Sequence, residues 1–120
     1  MNRVIRLKAE CLGKAILVTA ESLDDGLHIL VCGGTRSHCG SVTMAEADGT
    51  MSTMQRPSHK DAAVSELFAA DLSKRFARPV CCVCGIHYDD ITPDGIAAVL
   101  DVCKQLSAEL AAHLTAALHS

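Results

Sequence analysis

Apolar and polar positions alternate from the start of the chain. In "RVIRLKAEC" (3–11), Ile5, Leu7, Ala9 and Cys11 share one face, and Arg6, Lys8 and Glu10 the other. This period of two belongs to a strand with one wet face. Leu12-Gly13 turns the chain, and "KAILVTAES" (14–22) predicts a second strand, apolar enough to be buried on both sides. Asp24-Asp25-Gly26 is a hairpin signal, because glycine tolerates the positive φ of tight turns. "LHILVC" (27–32) is a third strand, which "GGTRSHCG" (33–40) breaks. "SVTMAEA" (41–47) is a fourth, Asp48-Gly49 another turn, and "TMSTMQ" (50–55) a fifth. The first half therefore predicts an antiparallel β-meander.

At Pro57-Ser58 the period changes. Ser58 suits a helix N-cap, and Asp61 three residues on completes an S-x-x-D box. Val64, Leu67, Phe68, Leu72 and Phe76 form one helical stripe, which Arg78-Pro79 ends. "VCCVCGIHY" (80–88) reads as a buried sixth strand. Thr92-Pro93 opens a last helix as a cap followed by proline at its first position. Ile91 and Ile96 are placed to staple that start, and Ile96, Val99, Leu100, Cys103, Leu106, Leu110 and Leu114 make a long stripe. The expected fold is α+β: an antiparallel meander sheet with two helices packed on it, in the order β-β-β-β-β-α-β-α. It fills residues 1–120 as a single domain.

Composition narrows the classes. At 49% hydrophobic and 21% charged residues, the chain is not of a disordered type. With no Trp, one Tyr and two Phe it lacks base-stacking platforms, and its net charge of −3 gives no phosphate-backbone surface, so no nucleic acid is expected. No apolar run is long enough to span a bilayer, so no membrane is expected either. Seven cysteines behind a start without a hydrophobic leader suit reduced thiols and a cytoplasmic setting. Cys81-Cys82-Val83-Cys84 formally holds C-x-x-C, but on a strand, without the helix start of a redox pair or the second pair of a zinc site. Packing as small hydrophobes is the expectation for most of the cysteines.

Candidate chemistry gathers in "GGTRSHCG" (33–40), "RPSHKD" (56–61) and "GIHYDDIT" (85–92), each between regular elements and each with one histidine. Ser58 opens a helix whose first amides lack internal partners. With Arg56 and Lys60 beside it, a phosphate is a natural guest, the alternative being a solvated Lys60 and an Asp61 that merely offsets the helix dipole. His38, His59 and His87 could meet on a divalent metal (Fe, Mn or Zn), or be three unrelated loop histidines. No G-x-S-x-G, H-E-x-x-H or P-loop is present.

In their order and spacing, "GTRSHCGSV", "SHKDAAV" and "GIHYDDITPDGI" resemble the motifs of the prenylated-flavin chaperone-like family. That family includes the small D subunit of gallate (hydroxyarylic acid) decarboxylase and is related in fold to proteasome assembly chaperone four. Two positions depart from its pattern: Ser37 stands where proline is common, and Ser58 where glycine is. The resemblance implies a non-catalytic, usually homodimeric accessory protein. It would bind prenylated FMN (or FMN) and deliver or mature it for a UbiD-type aromatic acid decarboxylase. Carried onto this chain, the cofactor-binding positions are Arg36, His38, Ser58, His59, Lys60, His87 and Asp89. Lys60 and the amides after Ser58 would hold the phosphate, Arg36 would add a planar contact, and His38, His59 and His87 would face the rings or hold a metal. Met44, Met51 or Met54 would wall the isoprenoid-derived ring, or else fill core or dimer interface. Two other classes stand beside this reading: an assembly chaperone acting only through protein contacts, and a small metal-dependent enzyme.

Overall fold

The computed structural model describes residues 3–57 and 61–118. Six strands and two helices follow in the expected order: β1 (Arg3–Cys11), β2 (Lys14–Ser22), β3 (Leu27–Gly34), β4 (Arg36–Ala45), β5 (Met51–Gln55), α1 (Ala62–Phe76), β6 (Val80–His87) and α2 (Pro93–Leu118). The class is α+β, but the sheet is mixed rather than a plain meander, with strand order β1-β2-β3-β6-β4-β5. β6 lies parallel to β3 and antiparallel to β4, and so separates the two strands that a meander would pair. The reason lies in β6 itself. A strand with ladder partners on both edges and a helix over one face is favoured by a near-continuous apolar run such as "VCCVCGI".

The β1–β2 turn is two residues long, with Leu12 at φ 53° and Gly13 at φ 78°, the twist-matched geometry for adjacent antiparallel strands. Alternation then does what it predicts. Ile16, Val18, Ile29, Val31, Val80, Cys82 and Cys84 are buried on the helix-covered face. α1 packs on β4, β5 and β6, and α2 on β1 and α1. Phe68 and Leu72 of α1 and Leu106, Leu110 and Leu114 of α2 complete the core. Each such side chain contributes about 1.5–3 kcal/mol through burial. The core also carries a hydroxyl chain. Ser41 Oγ donates to Ser65 Oγ at 2.8 Å, Thr43 Oγ1 lies 2.8 Å from that same oxygen, and Thr53 Oγ1 donates to Glu66 at 2.7 Å, tying α1 to β4 and β5.

All seven cysteines are free thiols, and Cys11, Cys82, Cys84 and Cys103 are buried. Burial pushes the Cys82 and Cys84 thiols up, and that of Cys103 up to about 12, so these groups stay protonated and pack as the composition suggests. Among the described residues no helix is long and apolar enough to cross a membrane.

The opposite face of the sheet has no helix over it. Leu17, Leu30, Val42, Met44 and Met54 are exposed there, and Leu30, Val83, Val42 and Met54 are successive cross-strand neighbours. Of the methionines expected either to wall the ring or to fill core or interface, Met44 and Met54 belong to this uncovered face, and Met51 is exposed at the start of β5.

Candidate functional site

The site is built on a defect in the β4–β6 ladder. Ser37 pairs with Ile86 and Ser41 with Cys84, so β4 advances four residues (41 − 37) while β6 advances two (86 − 84). His38-Cys39-Gly40 thus stand opposite Gly85 alone, a surplus of two residues that bulges out of the ladder. Bulges re-aim side chains, and this one brings His38 to the mouth of a cavity. The segment expected to be a loop is thus a deformed strand. A Cβ on Gly85 would lie 1.4 Å from the His38 carbonyl oxygen, so only glycine lets the bulge pass. A Cβ on Gly40 would lie 1.9 Å from Asp61 Oδ2.

That carboxylate fills the bulge. Helix α1 is Ala62–Phe76, and the expected start at Ser58 lies outside the described residues. Asp61 takes the cap position with φ −83° and ψ −8° but makes no side-chain capping bond. Its side chain turns into the sheet instead and is buried. Oδ1 accepts the Ile86 N–H at 3.0 Å and the Cys84 S–H at 3.7 Å, and Oδ2 lies 3.2 Å from His38 Nε2. A side chain thereby takes over an acceptor role that the interrupted ladder leaves open. The expected S-x-x-D box has its Ser58 outside the described residues. The first helical amide, Ala62 N–H, is taken by Gln55 Oε1 at 2.8 Å.

The cavity, about 420 Å³, lies between the start of α1, the end of β6 and the first turns of α2. His38, Asp61 and His87 form its polar end. Val64, Ile86, Tyr88, Ile91, Ile96, Val99 and Leu100 wall it with apolar surface. Ile91 and Ile96 remain 37% and 44% exposed, so they border the cavity more than they staple the helix. Tyr88 O–H donates to the Cys11 carbonyl at 2.6 Å, and burial raises its phenol to about 12. The His38 and His87 rings meet edge to face with centroids 6.2 Å apart. His87 Nε2 lies 3.0 Å from Asp89 Oδ1, and the Asp89 N–H reaches Thr35 Oγ1 at 3.3 Å.

Of the expected site residues, His38, His87 and Asp89 come together. Arg36 pairs across the ladder with His87 but is exposed and does not line the cavity. Ser58, His59 and Lys60 lie outside the described residues. Among the described residues no three His, Cys, Asp or Glu side chains are placed to hold a metal, so the expected His38–His59–His87 centre is represented by two imidazoles. Sequence reasoning placed Asp61 in the family motif but explained it as a helix-start residue. It missed the α2 wall altogether, since stripe residues at a helix start look the same whether they face core or cavity.

The six-stranded mixed sheet with two helices on one face is shared with a solved structure. The chain superposes on a chain of the crystal structure of a novel chaperone complex for yeast 20S proteasome assembly with a TM-score of 0.61, covering 91% of this chain and 94% of that one at 17% identity. That likeness shows the fold. The family follows from sequence: residues 10–115 match the prenylated flavin chaperone LpdD-like domain, and the chain belongs to that family. It is 35% identical over 95 residues to Protein LpdD of Lactiplantibacillus plantarum, covering 75% of this chain and 70% of that protein.

Proposed function

We propose that this protein binds prenylated FMN in the cavity between α1, β6 and α2, and delivers or matures it for a UbiD-type decarboxylase without decarboxylating a substrate itself. The observation that carries this reading is convergence. His38, Asp61 and His87, one from each of the three motif segments, meet at the polar end of one apolar-walled cavity. Its volume falls in the range of small-molecule sites, about 300–1,000 Å³. The apolar wall suits a flat ring system and an isoprenoid-derived ring, while His38 and His87 offer polar contacts to ring edges, with Asp89 behind His87 and outside the cavity lining. Lys60, the amides after Ser58 and Arg36 are assigned to the phosphate, where a cation and a planar guanidinium suit a dianion, and His59 to the rings. The described residues offer a metal no three-ligand set, and no step is assigned to one.

Anaerobic titration with reduced prenylated FMN tests the reading. Saturable binding, weakened in Lys60→Ala, is expected; an unchanged spectrum with flat calorimetry overturns it. The uncovered apolar sheet face supports a second element, a homodimer through Leu30, Val42 and Met54. It equally favours the rival reading of an assembly chaperone working through protein contacts alone, under which replacing His38 and His87 together would leave function intact.

A further inference from the structure

We infer that the outer edge of β1 is a docking site for an extended acidic segment of a partner protein, which adds to the sheet as a further strand. β1 closes one end of the sheet and runs nine residues, against five for β5 at the other end. It holds no proline, and its register with β2 is unbroken from the Arg3–Ser22 pair to the Cys11–Lys14 pair. It therefore lacks the shortness, bulge or proline that blunt an edge. The turn at Leu12 and Gly13, both at positive φ, closes on the Cys11–Lys14 pair. Ile5, Leu7, Ala9 and Cys11 then direct their backbone groups at β2, and Val4, Arg6, Lys8 and Glu10 turn theirs outward. Among the described residues those outward groups have no partner. Charge is the one safeguard this edge carries, and it is one-sided. Arg3, Arg6 and Lys8 stand against Glu10, in a chain of 11 basic and 14 acidic residues. None of the three cations has an ion-pair partner among the described residues. A second copy would bring the same excess of positive charge, whereas carboxylates opposite Arg6 and Lys8 complement it. Partners across a ladder share a face, so the segment carries two acids separated by one residue, with apolar neighbours that meet the side of Ile5, Leu7 and Ala9. A cavity of about 480 Å³ borders this edge, lined by Arg3, Val4 and Ile5 of the strand and by His113 and Ala116 of α2. Val4 and Ile5 point to opposite faces, so a cavity that touches both lies at the edge itself, and α2 supplies a second wall for the added strand. The surface shares no residue with the cavity of the flavin reading and does not rest on it.

The probe is a capped seven-residue peptide with glutamate at its third and fifth positions, valine at its second, fourth and sixth, and threonine at both ends. It is titrated into the ¹⁵N-labelled full chain. Amide exchange is expected to slow at Val4, Arg6, Lys8 and Glu10 and to stay as it was at Ile5, Leu7 and Ala9, an alternation that only strand addition produces. The same peptide with lysine in place of glutamate is expected to bind about tenfold more weakly, as two charge pairs turn from attraction to repulsion. The double variant Arg6→Glu, Lys8→Glu is expected to invert that order. Equal binding of the two peptides by wild type overturns the acidic assignment, and unchanged exchange at those four amides in millimolar peptide overturns the docking edge. Protection that appears without peptide and grows with protein concentration gives the edge to a second copy and overturns the proposal as well. Both substituted side chains are exposed; should the double variant not fold, the two peptides on wild type decide.

Discussion

Replacing Asp61 by alanine tests whether a carboxylate holds the bulge together. The substitution strips the Ile86 N–H of its acceptor, a loss of about 1–3 kcal/mol for a donor shielded from water. It also removes a negative charge beside the start of α1, worth roughly 0.3–1 kcal/mol. No capping bond is lost, because Asp61 makes none, and His38 Nε2 keeps the Ile86 carbonyl at 3.3 Å. The net expectation is a destabilisation of about 1.3–4 kcal/mol. For 120 residues the unfolding entropy is about 250 cal/mol/K, so each kcal/mol lowers Tm by about 4 °C. Asp61→Ala should therefore melt about 5–16 °C below wild type, while Asp61→Asn, which retains an acceptor oxygen, should stay within about 4 °C. Thermal unfolding followed by far-UV circular dichroism reads both. A Tm for Asp61→Ala within about 2 °C of wild type, or an Asn variant that falls as far as the Ala one, would refute the geometric reasoning.

Gly85→Ala drives a methyl group into the His38 backbone, where no side chain can yield. It should lower stability by at least about 1–3 kcal/mol in urea titration and abolish the edge-to-face contact of His38 with His87, visible as lost ring-current shifts. Stability should also fall in alkali. The folded state holds the Cys103 thiol and the Tyr88 phenol up to about 12, above their ordinary values of 9.0 and 10.0, so the unfolded chain releases protons first. That contribution is whole below pH 9.0 and lost as pH rises toward about 12; a urea midpoint that stays flat from about pH 8 to about pH 11 would contradict it. Val42→Asp puts a charge on the uncovered face at a residue already 42% exposed. The fold should survive while the proposed homodimer dissociates in sedimentation; an unchanged sedimentation coefficient would refute a dimer through this face.

Local period gave away most of the elements because each obeys a local rule. The alternation in β1 to β3 and the stripe of Phe68 and Leu72 depend only on which face meets the core. The turn at Asp24-Asp25-Gly26 is present, closed by the Leu23 N–H to the Gly26 carbonyl at 2.8 Å, but Gly26 does not take the positive φ expected of it. The sheet order was not legible, since the apolar run of β6 says that it is central without saying which two strands flank it. Nor was the bulge: "RSHCG" has the polar, glycine-ended composition of a loop, and its pairing depends on Gly85, far along the chain. The same distance hid Asp61. Beside Ser58 and before an apolar stripe, an aspartate fits a cap well, and only the folded ladder supplies the Ile86 N–H that draws its side chain away. The apolar wall was sought among methionines for their softness, whereas topology gave it to Ile91, Ile96, Val99 and Leu100.

The late arrival of β6 has a consequence for assembly. β1, β2 and β3 can zip together as the chain emerges, and β4 with β5 likewise, but nothing joins those two sections until α1 has formed and β6 slides between them. His38 belongs to one section, His87 to the joining strand, and Asp61 to the segment that leads into the intervening helix. Under the proposed function a partly knitted chain lacks the site, and a bound flavin would reinforce the seam that was closed last. Loading should register first as slower amide exchange along Val80–His87.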